Sequence, residues 1–456
     1  MWQADAPVTP EELQAIADRV VERAEPGEQL EAVATWSRET EVRAYNGEVE
    51  HFVSADSAGI GVRIIRDGRQ GLAWAGVLDE DSLATVVAEA RDNSGFGTPD
   101  PDAGLAEPDG VEAATITLFD ERLLTTPTEE KIRLAVELER LTVDGDPRMA
   151  GIESSDYADA VVASAIASTT GVRVAGHETS AYVGVYALGG GDDDVTTGFG
   201  FSVGRAAEDL DVEVASAEAV ERCMAMLGAR KAPSERLTVV FTPYVASQFL
   251  GLVAELLSGE AALRGRSPFA GRTGEVVAAP SITLYDDPTD AAAPTASDID
   301  DEGLACRRVD LITDGVLGGF LQNAYTARAS GTVSTGSAQR GSHRSAPGVG
   351  PRVVKVSAGS QSPEQIMAGV GAGLLVTELA GLHSGVNPVS GDLSVGIEGR
   401  RITGGAAAEP IREVTIGSTL QRMLGDVVAI GSDVVYFPWE ATGVTLAIAD
   451  VTMSGS

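Results

Sequence analysis

The chain has 456 residues, 43% of them apolar, which is about two to three domains' worth of length and ample material for buried cores. Its formal charge is −35 and it has only three lysines, Lys131, Lys231 and Lys355, so the clustered cations that phosphate contacts need are missing and nucleic-acid binding is disfavoured. No apolar run reaches membrane-spanning length, the opening Met1-Trp2-Gln3-Ala4-Asp5 has no signal-peptide pattern, and Cys223 and Cys306 make no disulfide framework; a cytoplasmic protein away from membranes is expected.

Residues 9–24, TPEELQAIADRVVERA, place Thr9 at an N-cap, Pro10 at N1 and two glutamates in the first turn. Leu13, Ile16, Ala17 and Val20 follow at helical spacing, so this is a helix. EAVATWS, TEVRAYNGEVEHFVS and GIGVRIIRDGRQGLAWAG read as strands, with Asn46-Gly47 and Asp67-Gly68 as hairpin turns. A helix at 79–92 starts at Asp79 or Asp81, a loop rich in Pro, Gly and Asp spans 94–112, and a second helix covers 128–143. Strands recur in ESSDYADAVVASAIAST, RVAGHETSAYVGVYAL and TTGFGFSVGR. The last two are joined by a solvated tip at 189–197 that lacks the ligand spacing of a calcium loop.

A helix at about 206–229 precedes Lys231-Ala232-Pro233, which marks a domain boundary. Beyond it, ERLTVVFTP reads as a buried strand and VASQFLGLVAELLSG as an apolar helix ending at Gly259. Residues 286–303 form a long acidic connection. Strands follow around Asp314-Gly315 and in RVVKVSAG, then a helix at 363–372, the strand IREVTIGS, a helix at 418–430 and the closing strand TGVTLAIADVTMSG. Each half mixes antiparallel strands with helices on one side. The fold class is therefore α+β, with two domains, 1–232 and 233–456, each an antiparallel or mixed sheet with packed helices.

Motifs with their own chemistry are scarce. There is no P-loop and no GxSxG elbow, and GVGAGL at 369–374 lies between helix and strand in the wrong order for a dinucleotide site. His51, His177, His343 and His383 are scattered, with no HExxH pair, and read as structural residues. The acidic runs Asp286-Asp287 and Asp300-Asp301-Glu302 read as solvated surface. One stretch stands apart: GLHSGVNPVSGDLSVGIEG, residues 381–399. Five glycines there punctuate His383, Ser384, Asn387, Ser390 and Asp392, a density that points to backbone folded closely against something. Composition and spacing name no catalytic group.

The segment 381–399, read with PIREVTIGS, TEVRAYNGEVEHF, GIGVRIIRDGRQG, ALRGRSPFAGRTGEVVAAP and LITDGVLGGFLQNAYTARASG, resembles the TldD/PmbA family, once described as modulators of DNA gyrase, and within it the PmbA or TldE branch. The family's TldD branch is a zinc metallopeptidase with a His-Glu-x-x-x-His helix and a later Cys ligand. Laid on this chain with RGRSPF as anchor, the first His falls on Leu250, the Glu on Gly251 and the second His on Glu255, and no cysteine follows Cys306. Leu and Gly supply no metal donor.

The resemblance therefore implies a subunit without zinc of its own. A TldD-like metallopeptidase partner would carry the zinc in a heterodimer that cleaves unfolded or precursor peptides, held extended as in strand addition. It further implies that His383, Ser384, Asn387, Ser390 and Asp392 face the peptide channel or the subunit interface. Two other readings are open: an autonomous peptidase with a site near His383 and Ser384, and a homodimeric peptide-binding protein with no proteolytic role.

Overall fold

The computed structural model describes residues 8–191 and 194–455; the opening pentapeptide and Asp192-Asp193 of the 189–197 tip lie outside the described residues. The first half runs α1 (Pro10–Val21), β1 (Gln29–Tyr45), β2 (Glu48–Arg66), β3 (Arg69–Ala75), α2 (Glu80–Phe96), α3 (Arg122–Thr125), α4 (Thr128–Asp144), β4 (Met149–Ser168), β5 (Arg173–Gly191), β6 (Asp194–Gly204) and α5 (Val212–Ala225). Its strands form one antiparallel sheet in the order β3-β2-β1-β4-β5-β6. EAVATWS and TEVRAY fuse into the single strand β1, and EVEHFVS joins GIGVRIIR in β2. Both turns named in the sequence close as two-residue hairpins with positive φ, at Asn46 (54°) and Gly47 (74°), and at Asp67 (51°) and Gly68 (70°).

Period-two alternation decides what each face of this sheet meets. Leu30, Ala32, Ala34 and Trp36 of β1, with Ile60, Val62 and Ile64 of β2, pack under α1 and α2. Val42, Val183 and Val185 pack with Leu134, Leu138 and Ala219 of α4 and α5. The intervening residues point the other way, toward the second half. There Thr35 Oγ1 lies 3.0 Å from His343 Nδ1, and a β-carbon on Gly61 would overlap the His343 carbonyl.

The second half runs β7 (Glu235–Phe241), α6 (Pro243–Leu256), α7 (Gly259–Leu263), β8 (Leu284–Asp286), β9 (Val309–Thr313), β10 (Val316–Leu317), α8 (Ala324–Ser330), β11 (Ala338–Gln339), β12 (Gly348–Val349) and β13 (Val354–Val356). It continues with α9 (Pro363–Val370), β14 (Ala372–Ala380), α10 (Leu382–Gly385), β15 (Asp392–Thr403), β16 (Ala406–Thr419), α11 (Leu420–Gly425), β17 (Val427–Ile430) and β18 (Leu446–Ser454). A mixed sheet, β16-β15-β14-β7-β18-β17, is parallel only at β14–β7, and β16 also reaches β18. A smaller sheet, β10-β9-β8-β13, and the pair β11-β12 flank it. The fold is thus α+β with antiparallel and mixed sheets, as the sequence implied.

Four expectations about the helices need correction. The helix at 206–229 is a 3-10 turn at Ala207–Asp209 followed by α5, because the Asp211 carboxylate caps Val214 N–H and starts the helix there. Gly259 does not end α6; it opens α7, whose N-cap is Ser258. Only 420–425 of 418–430 is helical, since Val427–Ile430 is claimed by pairing with β18. The second half does not keep its helices on one side. Val239 and Phe241 of β7 face the cluster containing α6, and Val240 faces Ile366 of α9, so β7 is covered on both faces.

The acidic runs are the largest departure. Asp286, Asp300 and Glu302 are buried, with at most 1% of their surface exposed. Glu302 reaches across to the first sheet, where its Oε1 lies 3.5 Å from the Arg63 guanidinium. Arg63 makes a fork with Glu31 (Nε to Oε1 3.1 Å, Nη2 to Oε2 2.8 Å), and Arg340 of the second half pairs with the same Glu31. Burial would push the Glu31 carboxyl up, but the Arg340 and Arg63 charges outweigh it and hold it below its ordinary value. This buried array joins the inner face of the first sheet to the second half.

Candidate functional site

Helix α6 starts where the Thr242 hydroxyl accepts from Val245 N–H, with Pro243 in the first turn. Val245, Ala246, Phe249, Leu250 and Val253 are turned into the core. The opposite stripe, Tyr244, Gln248, Gly251 and Glu255, recurs at helical spacing and lines a cleft of about 520 Å³. Gln339 and Val349–Pro351 close one side of it, Leu382 of α10 another, and Trp439-Glu440-Ala441 the third.

Aromatic rings set the walls. Trp439 stacks on Phe437 (centroids 4.8 Å apart, planes at 10°), and Tyr244 meets Trp439 edge-on at 5.8 Å. The run continues into the first half through Phe201, 6.0 Å from Trp439, then Phe199 and Tyr186. Each such pair adds about 0.5–1.5 kcal/mol beyond the area it buries. The Trp439 indole N–H donates to Ser247 Oγ at 3.1 Å, which locks the ring to α6.

The charge in the cleft is negative. Glu255 reaches solvent at the rim, yet its carboxyl is raised above the ordinary value, first by lost hydration against the wall and then by the Glu440 charge. Beside the aromatic run, Glu378 of β14 is pushed up to about 7, by lost hydration and then by Glu398, its partner across β15.

The positions singled out in the sequence separate here. Leu250 is wholly buried in the core, while Gly251 and Glu255 line the cleft. Of the segment 381–399, Leu382 touches the cleft, whereas His383, Ser384, Asn387, Ser390 and Asp392 are exposed beyond it. Asn387 Oδ1 accepts from Val389 N–H (2.9 Å), and Ser390 Oγ donates to Asp392 Oδ2 (2.6 Å), so these side chains close their own turn. Ser384 Oγ bonds the Gly381 carbonyl rather than His383. Close backbone approach does occur along the segment: a β-carbon on Gly399 would overlap the Leu375 carbonyl.

Sequence reasoning passed over the aromatic wall. In a chain only 5% aromatic, Phe199/Phe201 and Phe437/Trp439, each pair at i, i+2, were the available signal.

A second cleft of about 840 Å³ holds Arg307, Arg308 and Arg328, but these are tied to Asp109, Asp310 and the carbonyls of Asp102 and Leu105.

Three family models match: the PmbA/TldA metallopeptidase C-terminal domain over 234–455, the central domain over 121–227 and domain 1 over 30–94. The chain belongs to the TldD/PmbA family. Metalloprotease PmbA of Escherichia coli O157:H7 is 27% identical, over 85% of this chain and 84% of that protein. The metalloprotease TldD homolog of Haemophilus influenzae is 26% identical, over 80% and 77%. The crystal structure of TldE from Thermococcus kodakarensis superposes with a TM-score of 0.86 at 23% identity, covering 98% of this chain and 99% of that one, so the fold is shared.

In this TldD/PmbA chain the donor set on α6 does not suit zinc. A hydrolytic zinc site takes three protein ligands from His, Asp, Glu or Cys. Here Leu250, Gly251 and Glu255 are a buried leucine, a glycine and one carboxylate, which together offer at most one donor. Among the described residues no group of three such side chains is placed to hold a metal ion. Gly251 also leaves the helix under-filled. Gly251→Ala is expected to stabilise the chain by about 0.5–1 kcal/mol, because it removes backbone freedom inside a helix. The new β-carbon would sit 3.8 Å from Ala441 Cβ, an ordinary contact. Thermal denaturation reads this as a midpoint about 2 °C higher, and an unchanged or lower midpoint would contradict it.

Proposed function

We propose that this PmbA/TldE-type chain is the zinc-less subunit of a TldD/TldE-type metallopeptidase complex that cleaves unfolded or precursor peptides, with the metal carried by a TldD-like partner. The observation that carries the reading is the cleft on α6. It sits on the helix onto which the TldD zinc motif maps, is large enough for a peptide side chain, and lacks the donors for a hydrolytic ion. A partner is further supported by the β1–β2 hairpin, which exposes Tyr45, Val49, Phe52 and Val53 near its tip. On this reading the exposed 381–392 stretch faces the peptide channel or the partner. The cytoplasmic setting is supported by Cys223 and Cys306, both buried and unpaired.

The test is reconstitution. The purified chain is expected to bind no stoichiometric zinc and to leave an unstructured peptide intact. Adding a TldD-like protein with His-Glu-x-x-x-His should yield a heterodimer by mass measurement and metal-dependent cleavage. Cleavage by the purified chain alone, or a partner enzyme indifferent to this chain, would overturn the proposal; loss of that cleavage in His383→Ala would place an autonomous site near His383.

A further inference from the structure

The α6 cleft carries two carboxylates, Glu255 and Glu440, and no cationic side chain. Arginine, lysine and histidine are absent from its lining residues. Its unpartnered polar atoms are acceptors. Gln248 Oε1 is shut off from solvent without a hydrogen-bond partner, a costly state until a donor arrives. Glu255 and Glu440 line the same cleft and are close enough for the Glu440 charge to raise the Glu255 carboxyl. The rings of Trp439 and Tyr244 stand beside these acceptors, and electron-rich ring faces attract guanidinium and ammonium groups. Tyr244 already shows this chemistry. The Arg222 guanidinium lies 5.5 Å from its ring centroid, tethered by the Phe199 carbonyl and the Glu218 carboxylate.

We infer that this cleft binds the side chain of an arginine or lysine in an extended peptide, its aliphatic stem along Leu252 and Leu382 and its charged head between Trp439 and the Glu255 and Glu440 carboxylates. The geometry makes the subunit a selector of basic residues. The inference rests on the proposed function only in taking the ligand to be a peptide.

Binding can therefore be measured on the full chain without a partner. An unstructured, fluorescently labelled peptide with one central arginine is titrated against the same peptide carrying citrulline, which keeps the shape and removes the charge. The arginine peptide is expected to bind about tenfold tighter (about 1.4 kcal/mol), with the preference shrinking as salt rises. In Glu255→Gln/Glu440→Gln the preference should disappear. Both residues are exposed, so the melting midpoint should stay put and show that the fold is intact. Equal binding of the two peptides, no binding of either, or a preference that survives the double substitution would overturn the inference. Any of these results leaves the cleavage proposal standing, and a failed reconstitution leaves an arginine preference standing.

Discussion

Replacing Arg63 by Met is expected to lower stability by about 3–5 kcal/mol, the usual cost of breaking a buried ion array from one side. Arg63 has 4% of its surface exposed and Glu31 and Glu302 have 2% and 1%, so water cannot screen the carboxylates once the guanidinium is gone. Arg340 would still pair with Glu31. Glu302 would keep only the Ala324 N–H at 2.8 Å on one oxygen, because its other oxygen relies on Arg63. The thermal midpoint should fall by about 10 °C, at about 2–4 °C per kcal/mol for a unit of this size. Adding Glu302→Gln to Arg63→Met should recover part of the loss, since it removes the orphaned charge while keeping an acceptor for Ala324. A single variant that loses less than about 1 kcal/mol, or a double variant no better than the single, would show that the array is hydrated.

Asp286→Asn should act in the opposite direction once the pH is above about 5. Burial pushes the Asp286 carboxyl up to about 6 from an ordinary 3.8, against the pull of the Val353 and Arg352 N–H groups. A folded-state value above the unfolded one means that the folded chain holds the proton between those limits. The contribution to stability is full below about pH 4 and is lost as pH rises through about 6. At about 1.4 kcal/mol per unit, the ionised side chain costs about 3 kcal/mol at pH 8. Its Oδ1 accepts from Val353 N–H (2.6 Å) and Arg352 N–H (3.0 Å), while Oδ2 has no partner. Asparagine keeps the accepting oxygen and puts an unpaired amide N–H where Oδ2 was, at a cost of about 1 kcal/mol. The net expectation is a gain of about 1–2 kcal/mol at pH 8 that vanishes by about pH 4.5, read from urea midpoints at the two pH values. A gain of equal size at both would mean that the carboxyl is not the titrating group. Asp300, pushed up to about 7 by burial and then by Glu302, is a poorer site for the same exchange. Both of its oxygens accept backbone N–H groups, from Glu302, Leu304 and Ala338, so an amide would face one of them N–H to N–H.

These two sites also show where reading the sequence stopped. Caps and hairpins were legible because their causes lie within a few residues: Thr9 caps its own helix, and Asn46-Gly47 turns its own strands. The candidate site was half legible. Aligning RGRSPF placed Gly251 and Glu255 on α6, and both line the cleft. The other wall comes from 437–441, far along the chain, and no local pattern joins Trp439 to Tyr244. The 381–399 stretch was conspicuous for its glycines, yet most of its polar side chains are spent on their own turn, and only Leu382 reaches the cleft.

By itself the sequence determined the α+β class, the long strands of the first half, and that Leu250 and Gly251 on α6 offer a metal no donor, since donor chemistry is fixed by residue identity alone. Tertiary structure alone decided that Asp286, Asp300 and Glu302 are buried. An acidic run is solvated or not according to what covers it, and Glu302 is covered by Arg63 on a strand of the other half. It also decided that two carboxylates, an orphaned amide oxygen and two rings share one cleft, because convergence in space depends on packing between elements and leaves no periodicity in the chain to read.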